Sequence, residues 1–180
     1  MIGIIGGSGL GEALGALSGG EEHRIDTPFG PTSGPIVTTE IGGVPVALLA
    51  RHGEGHMLNP SQVPYRANIF ALKTLGVTRI LAGGAVGSLQ EDIVPRSLVI
   101  PDQIIDRTFR RAGTFYEELA VHVELASPFC PSLRRALPAA AAGGDCSCQS
   151  ALALAVWSDR ARIPAEVRRK LKPLLGKYLD

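Results

Sequence analysis

The amino-acid sequence predicts an α/β fold. Short apolar runs end directly in glycine turns, and segments of helical character alternate with them along the 180 residues. Hydrophobic residues make up 45% of the chain and charged residues 19%, which is the balance of a compact domain with a sizeable core and argues against disorder. The 22 glycines indicate that tight loops matter in this fold.

The elements can be assigned in order along the chain. Strands are predicted where short apolar runs meet turns, at 2–5, 35–41, 44–50, 78–82, 97–100 and 103–105. Helices are predicted where apolar positions follow a capping residue or a proline, weakly at 10–17, then at 61–75, from 127 onward, near 151–157 and at 164–178. The dipeptide Gly42-Gly43 predicts a hairpin turn, and Gly76 predicts the end of the second helix.

Composition excludes several classes of function. The net charge of +1 gives no electrostatic basis for binding nucleic acid or an acidic membrane, and no apolar run reaches the roughly 18 residues of a spanning helix. Three cysteines, an odd count, argue against a secreted disulfide scaffold. Residues 1–20 have no basic segment before their apolar stretch, so no signal peptide is expected. We therefore expect a cytoplasmic protein with neither nucleic-acid nor membrane partners.

The first strand ends in the glycine loop Gly6-Gly7-Ser8-Gly9. Bare backbone N–H groups and a hydroxyl suit an anion, above all at a helix N-terminus. The loop does not fit the dinucleotide-binding pattern, because Glu12 occupies the third glycine position, and no Lys-Ser/Thr pair follows as in a P-loop. A tight strand-to-helix turn without a ligand remains an equal alternative.

A polar loop, residues 50–56 (ARHGEGH), follows an apolar strand. Arg51 offers a planar fork for a phosphate or carboxylate, and His52 can donate a hydrogen bond beside it. The alternative is a solvated loop in which Arg51 pairs with Glu54. His52 and His56 have a metal-like spacing on a helix, but the intervening glycines argue against a helix and so against a metal site. On the next helix, Tyr65, Arg66 and Asn68 are interpreted as anchors for this loop.

Taken in order, the motifs resemble a known family. They are residues 4–10 (IIGGSGL), 26–30 (DTPFG), 49–53 (LARHG), 65–69 (YRANI), 85–89 (AVGSL) and 102–108 (DQIIDRT), followed by His122 and 128–131 (PFCP). Together they resemble the methylthioadenosine phosphorylase branch of the purine nucleoside phosphorylase family over residues 1 to about 142. The resemblance implies a homotrimer of α/β subunits, each built around a mixed central sheet flanked by helices.

The resemblance also implies a reaction and a set of site residues. The reaction is phosphorolysis of a purine (5′-methylthio)nucleoside to free purine and (methylthio)ribose 1-phosphate. Inorganic phosphate is the co-substrate, and neither a metal nor an organic cofactor is expected. The implied phosphate-binding residues are Ser8, Arg51, His52, Gly84 and Ala85. His56 matches a residue near the sugar, and His122 matches one that is lent to the 5′-substituent pocket of a neighbouring subunit.

The resemblance stops after Ala142. The family's later motifs, including the aspartate that binds the purine, are not in the sequence, so the residue that protonates the base stays unassigned. We interpret residues 1–142 as the N-terminal part of a phosphorylase-like domain. Residues 143–180 are interpreted as a C-terminal helical segment, joined after an internal deletion that removes part of the C-terminal half of the sheet. Cys146 and Cys148 in this segment resemble a Cys-x-Cys element of some relatives, as a disulfide or as two thiols.

Three functions remain open from the sequence. The first is the phosphorylase. The second is a catalytically inactive phosphate-binding or oligomerising remnant of that family, as the missing motifs suggest. The third is a nucleotide-dependent oxidoreductase, which rests on the glycine loop alone and is disfavoured by Glu12.

Overall fold

A seven-stranded mixed sheet forms the body of the protein in a computed structural model, which describes residues 1–7, 19–95, 97–141 and 151–158. Its strands and helices, in chain order, are β1 (Ile2–Gly6), β2 (Glu21–His23), β3 (Asp26–Thr27), β4 (Gly30–Pro31), β5 (Ile36–Ile41), β6 (Val44–Ala50), a 3₁₀ turn (Glu54–His56), α1 (Tyr65–Thr74), β7 (Arg79–Val86), β8 (Leu98–Val99), α2 (Pro131–Ala141) and β9 (Ala151–Ser158).

The sheet has the strand order β2-β5-β6-β1-β7-β9-β8, and β3 and β4 form a separate two-stranded ribbon. The three middle strands β6, β1 and β7 are parallel, whereas β2, β5 and β6 form antiparallel pairs and β9 runs antiparallel to β7. Helix α1 connects β6 to β7, the crossover that two parallel strands require. The predicted α/β fold with a mixed sheet is therefore confirmed.

The core lies where α1 packs against this sheet. Its buried members are apolar residues from β5, β6, α1, the turn after α1 and β7: Ile36, Ala47, Leu49, Ala71, Leu72, Val77 and Ile80. On β1, a Cβ at Gly3 would lie 2.9 Å from Cγ1 of Val77, closer than real Cβ contacts come. This position of the first strand therefore needs a glycine so that the chain after α1 can pack against it.

The hairpin between β5 and β6 forms as predicted. Gly42 and Gly43 have φ values of +58° and +77°, and the flanking Ile41 and Val44 pair across the turn. Two successive positive φ values match the right-handed twist of the strands, and glycine adopts them without strain. Helix α1 also ends as predicted, because Gly76 takes a left-handed φ of +83° directly after the last turn.

Helix α1 begins later than predicted. The expected cap, Ser61, instead donates its backbone N–H to Oδ1 of Asn59 at 2.9 Å, and Gln62 donates to the same oxygen at 3.2 Å. Asn59 thus forms its own turn with this stretch, so that the helix starts only at Tyr65, behind Pro64.

Three predictions in the second half of the chain are wrong. The helix expected over 151–157 is the strand β9, whose residues pair with β7 along its whole length, from Val86↔Ala151 to Arg79↔Ser158. This strand occupies the edge of β7 and satisfies backbone groups that would otherwise be unpaired. Residues 103–105 form no strand, and the helix expected from Ser127 begins at Pro131, with proline in its first position.

The remaining predicted helices, at 10–17 and 164–178, lie outside the described residues, as do Cys146 and Cys148. The boundary between 142 and 143 stays a prediction. Neither α1 nor α2, with 10 and 11 residues, nor any other helix in the described ranges is long and apolar enough to cross a membrane.

Candidate functional site

The carboxyl ends of β6, β1 and β7 meet at one edge of the sheet. Gly6 at the end of β1 pairs with Ala50 at the end of β6, and its carbonyl also accepts the backbone N–H of Arg51 at 3.0 Å. The pairing of β1 with β7 ends at Ile5↔Ala82, whereas β7 runs on to Val86. The last residues of β7 therefore project past β1. In open α/β sheets, ligands bind in the crevice outside such carboxyl ends.

The guanidinium of Arg51 lies across this edge. Its Nη1 donates a hydrogen bond to the carbonyl of Gly83 at 3.0 Å, and its Nε donates to Nε2 of His52 at 3.1 Å. These contacts replace the alternative pairing of Arg51 with Glu54. The guanidinium lies against two glycines: its Nη2 is 2.7 Å from the position of a Cβ on Gly7 and 3.0 Å from that of a Cβ on Gly84. Both positions exclude a side chain while Arg51 occupies this place.

His52 connects Arg51 to the loop that follows it. Its Nδ1 lies 2.7 Å from the carbonyl oxygen of Leu58, and this oxygen can only accept, so Nδ1 carries a proton. Its Nε2 accepts the Nε–H of Arg51, so this nitrogen carries none. The hydrogen-bond network thereby assigns a neutral imidazole in the Nδ1–H tautomer. Both ring nitrogens are engaged within the protein.

The loop folds His56 back onto His52. Gly53 and Gly55 have positive φ values of +75° and +65°, and His56 itself has a φ of +59°. The two imidazole rings lie with their centroids 4.3 Å apart and their planes tilted by 35°. The glycines break the helical spacing of the two histidines, as predicted. In the ranges that the structure describes, no three His, Cys, Asp or Glu side chains form a group that could hold a metal ion.

Gly84 and Ala85 contribute to this edge in different ways. The carbonyl of Gly83 points toward Arg51, on the side of β1, and backbone groups of successive strand residues point to alternate sides. The groups of Gly84 therefore point toward β9, where it pairs with Ala153. By the same alternation, we expect the N–H of Ala85 on the side of β1, past Ala82, where the pairing of β7 with β1 ends. Gly84 offers space for the guanidinium of Arg51.

A buried asparagine supports the loop of Arg51. Asn68 on α1 is 2% exposed. Its Oδ1 accepts the backbone N–H of Ser33 at 2.8 Å and its Nδ2 donates to the Ser33 hydroxyl at 2.8 Å. The carbonyl of Ser33 in turn lies 2.8 Å from the position of a Cβ on Gly53, which precedes the turn of His56. Asn68 thus anchors the loop through Ser33.

The predicted site residues divide into three groups. The structure brings together Arg51, His52, His56, Gly84 and Ala85 at or beside the carboxyl edge. Ser8 lies outside the described residues. His122 is exposed on the irregular stretch between β8 and α2. Sequence reasoning missed the carbonyls of Gly83 and Leu58, because a backbone acceptor has no signature in the sequence.

A second concave region lies elsewhere, at the start of α1. It is a shallow cleft of about 190 Å³, and its lining includes Phe29, Tyr65, Arg66 and Arg111 but none of the predicted site residues. Arg66 lies 5.0 Å above the ring of Phe29 and also forms an ion pair with Glu117 at 2.9 Å. Arg66 also donates to the carbonyl of Thr114 at 3.2 Å, so it ties the segment before α2 to the helix, and its predicted role as an anchor of the Arg51 loop is wrong.

The fold and the site are those of an α/β protein with a candidate anion site at the carboxyl edge of its sheet. The chain belongs to the phosphorylase superfamily, whose family model matches residues 1–158. It is similar to proteins named S-methyl-5′-thioadenosine phosphorylase. The one from Synechocystis sp. is 50% identical over 143 residues, covering 79% of this chain and 44% of that protein. The one from Mycolicibacterium smegmatis is 46% identical over 147 residues, covering 80% and 56%.

Solved structures agree with this assignment. A methylthioadenosine phosphorylase from an antarctic soil metagenomic library superposes with a TM-score of 0.67 at 49% identity, covering 76% of this chain and 47% of that one. The enzyme from Schistosoma mansoni in complex with tubercidin has a TM-score of 0.72 at 43% identity, covering 78% and 51%. The predicted resemblance is therefore confirmed. The chain spans about half the length of the curated relatives it matches.

Proposed function

We propose that the protein is a purine (5′-methylthio)nucleoside phosphorylase, a pentosyltransferase that uses inorganic phosphate to release the purine from its ribose. The observation that carries the proposal is the guanidinium of Arg51 spread across the carboxyl ends of β6, β1 and β7. A fixed cation beside strand ends suits an anionic substrate. The names of the relatives supply the reaction class.

In this proposal, the phosphate lies between Arg51, the glycine loop and the end of β7. Arg51 supplies the positive charge and a bidentate fork, and the N–H of Ala85 supplies a backbone donor. Ser8 adds its hydroxyl from the glycine loop. His52, which accepts the Nε–H of Arg51, is a further member of the proposed phosphate site. Gly84 leaves the space in which the guanidinium lies.

The chemistry needs orientation and charge more than a protein nucleophile. As the bond between C1′ and the purine nitrogen breaks, the ribose acquires oxocarbenium character, as in glycoside hydrolysis. The electron pair of the broken bond stays on the purine, which takes up a proton, and a phosphate oxygen forms the new bond to C1′. A phosphate held near C1′ stabilises the developing cation and is already oriented for attack. The reaction requires neither a metal nor an organic cofactor.

Two histidines extend the proposal to the sugar. We propose that His56, whose ring packs on that of His52, lies near the ribose of the bound nucleoside. His122, exposed on the stretch before α2, is proposed to reach the 5′-substituent pocket of a neighbouring subunit in a homotrimer.

We further propose that residues 1–142 are the phosphorylase-like part of the chain and that residues 143–180 are the segment after the deletion. We expect the protein to act in the cytoplasm, because an odd count of three cysteines is consistent with the reduced thiols of that compartment.

The second candidate is a catalytically inactive, phosphate-binding or oligomerising member of the family. It is favoured by the half-length match to the relatives and by the missing aspartate motif for the purine. Both candidates require the same phosphate site, and they differ in turnover.

The test is phosphate-dependent release of purine by the purified 180-residue chain. Methylthioadenosine, methylthioinosine, adenosine and inosine are offered, and phosphate binding is measured by calorimetry. Arg51→Ala is expected to weaken phosphate binding more than about tenfold and to abolish turnover, because a charge-assisted contact is lost. Arg79→Ala, at the opposite end of β7, is the matched control and is expected to behave like the wild-type protein.

The outcomes separate the candidates. Turnover that depends on Arg51 supports the phosphorylase. Phosphate binding without turnover from a folded preparation supports the inactive member. Phosphate affinity that is unchanged in Arg51→Ala refutes the proposed site in both.

A further inference from the structure

His52 has no ring nitrogen left for a donated hydrogen bond to an anion. Its one proton, on Nδ1, points to the Leu58 carbonyl at 2.7 Å, and its Nε2 accepts from Nε of Arg51 at 3.1 Å. An imidazole in this state can hold Arg51 but cannot donate to a phosphate from Nε2. The half-buried ring therefore contributes an acceptor, its Nε2, to the site. The sequence had suggested the opposite role, in which His52 donates a hydrogen bond beside Arg51.

We infer that His52 is a positioning residue that acts through Arg51. The neutral imidazole, held in its Nδ1–H tautomer by Leu58, accepts the Nε–H and aims Nη1 and Nη2 across the ends of β1 and β7. Anion binding therefore requires neutral His52 and weakens when this ring takes up a second proton. This inference rests on the proposed phosphate site and specifies how that site responds to pH.

The sign of the pH effect follows from the hydrogen bonds. A doubly protonated His52 has no acceptor for Arg51, and two cationic groups would then share a 3.1 Å contact. The guanidinium would have to leave its place against Gly7 and Gly84. His56, with its ring centroid 4.3 Å from that of His52, is a second imidazole in contact with this ring. Histidines change charge in the range between about pH 8 and pH 5.5.

The two possible roles of His52 predict opposite results. If His52 donated directly to the anion, its protonation would add a charge and a donor, and affinity would rise at low pH. If His52 positions Arg51, affinity falls at low pH. Sulfate is the appropriate probe, because it remains a dianion throughout this range whereas phosphate itself changes charge.

The experiment is a calorimetric titration of the 180-residue chain with sulfate at about pH 8 and about pH 5.5. We expect the dissociation constant to rise at the lower pH, since the contact that orients Arg51 is lost when its acceptor on His52 takes up a proton. His52→Gln retains an acceptor at the Nε2 position, and its dissociation constant should stay within about threefold of the wild-type value at pH 8 and vary little with pH. His52→Asn can replace only the Nδ1 donor, so Arg51 loses its acceptor. This variant should bind sulfate roughly tenfold more weakly than the wild-type chain.

Two further measurements make the result decisive. His23→Gln removes a histidine on β2, where His23 contacts the hydroxyl of Thr38 at 2.7 Å, and it should keep the pH dependence of the wild-type chain. Nitrogen-15 NMR of the imidazole reports the tautomer without any ligand, and a proton on Nε2 at pH 8 would overturn the inference. Binding that strengthens at pH 5.5 would also overturn it while leaving the proposed phosphate site intact. If neither sulfate nor phosphate binds at any pH, the proposed function fails and this role of His52 fails with it.

Discussion

A single methyl group added at Gly84 or Gly7 tests whether these glycines make room for the guanidinium of Arg51. A Cβ at Gly84 would lie 3.0 Å from Nη2 and 3.2 Å from Nη1, and one at Gly7 would lie 2.7 Å from Nη2. Ordinary van der Waals contact begins at 3.4 Å. Subtracting the Nη2 distances from this value shows that the guanidinium must move by about 0.4 Å in Gly84→Ala and about 0.7 Å in Gly7→Ala.

These displacements set the expected magnitudes. The hydrogen bond from Nη1 to Gly83 is 3.0 Å long, so a shift of several tenths of an ångström takes it out of the favourable range. We expect phosphate affinity to fall about threefold in Gly84→Ala and about tenfold in Gly7→Ala, because the charge remains but its orientation is lost. Stability should change little or rise by up to about 1 kcal/mol, since a flexible side-chain end can move and alanine restricts the unfolded chain.

The assay is calorimetry with phosphate, accompanied by thermal unfolding of each variant. Gly87→Ala is the matched control, because no atom lies within 4 Å of the position of its Cβ and its φ is not left-handed. It should bind phosphate like the wild-type chain. Equal affinity in all three variants would refute the steric argument. So would a loss of affinity that follows a falling unfolding temperature instead of the distance to Arg51.

Two further predictions concern the anchoring of the loop and a surface turn. Asn68→Ala should lower the free energy of unfolding by about 2 kcal/mol, because the backbone N–H of Ser33 loses its acceptor. The control, Thr74→Ala on the exposed face of α1, should lower it by no more than about 0.5 kcal/mol. Equal losses of the two variants in urea denaturation would contradict the anchoring role of Asn68. The backbone N–H and hydroxyl of Thr108 hold the pKa of the Asp106 carboxyl below its ordinary value of 3.8, so the turn is stabilised above the unfolded-state pKa and loses this stabilisation as the pH falls through the folded-state pKa. An NMR titration should place the midpoint below 3.8 and move it upward in Thr108→Val, and a midpoint at or above 3.8 would contradict the assignment.

The local sequence was sufficient to predict those features of the structure that depend on residues adjacent in the chain. Gly42-Gly43 predicted the hairpin because its turn needs two positive φ values, and Gly76 predicted the end of α1 for the same reason. The start of α1 was misplaced because Asn59 competes for the N–H groups near Ser61, and several side chains can serve as a cap in such a stretch.

The pairing of strands that are distant in the chain could not be predicted from the sequence. The apolar stretch at 151–158 is short enough for either a strand or a helix, and its periodicity does not separate them. Its pairing partner, β7, is more than 60 residues away in the chain. The same pairing carries β7 on to Val86, although the sequence predicted that the strand would end at 82 and open into a loop.

The sequence by itself determined the class of the protein. The ordered motifs of residues 1–142 identified the family, and the polar loop after a buried strand identified Arg51 and His52 as candidates for binding an anion. These inferences depend on residue type and order alone, because strand ends, turns and charged groups are local properties of the chain.

Only the tertiary structure decided how the candidates work together. Parallel pairing of β6, β1 and β7 brings their ends to one edge, and there the carbonyls of Gly83 and Leu58 select the orientation of Arg51 and the tautomer of His52. Every residue except proline carries the same backbone donor and acceptor, so the sequence cannot show which carbonyl will meet which side chain. That choice depends on the register of strands distant in the chain, and it exists only once the sheet has formed.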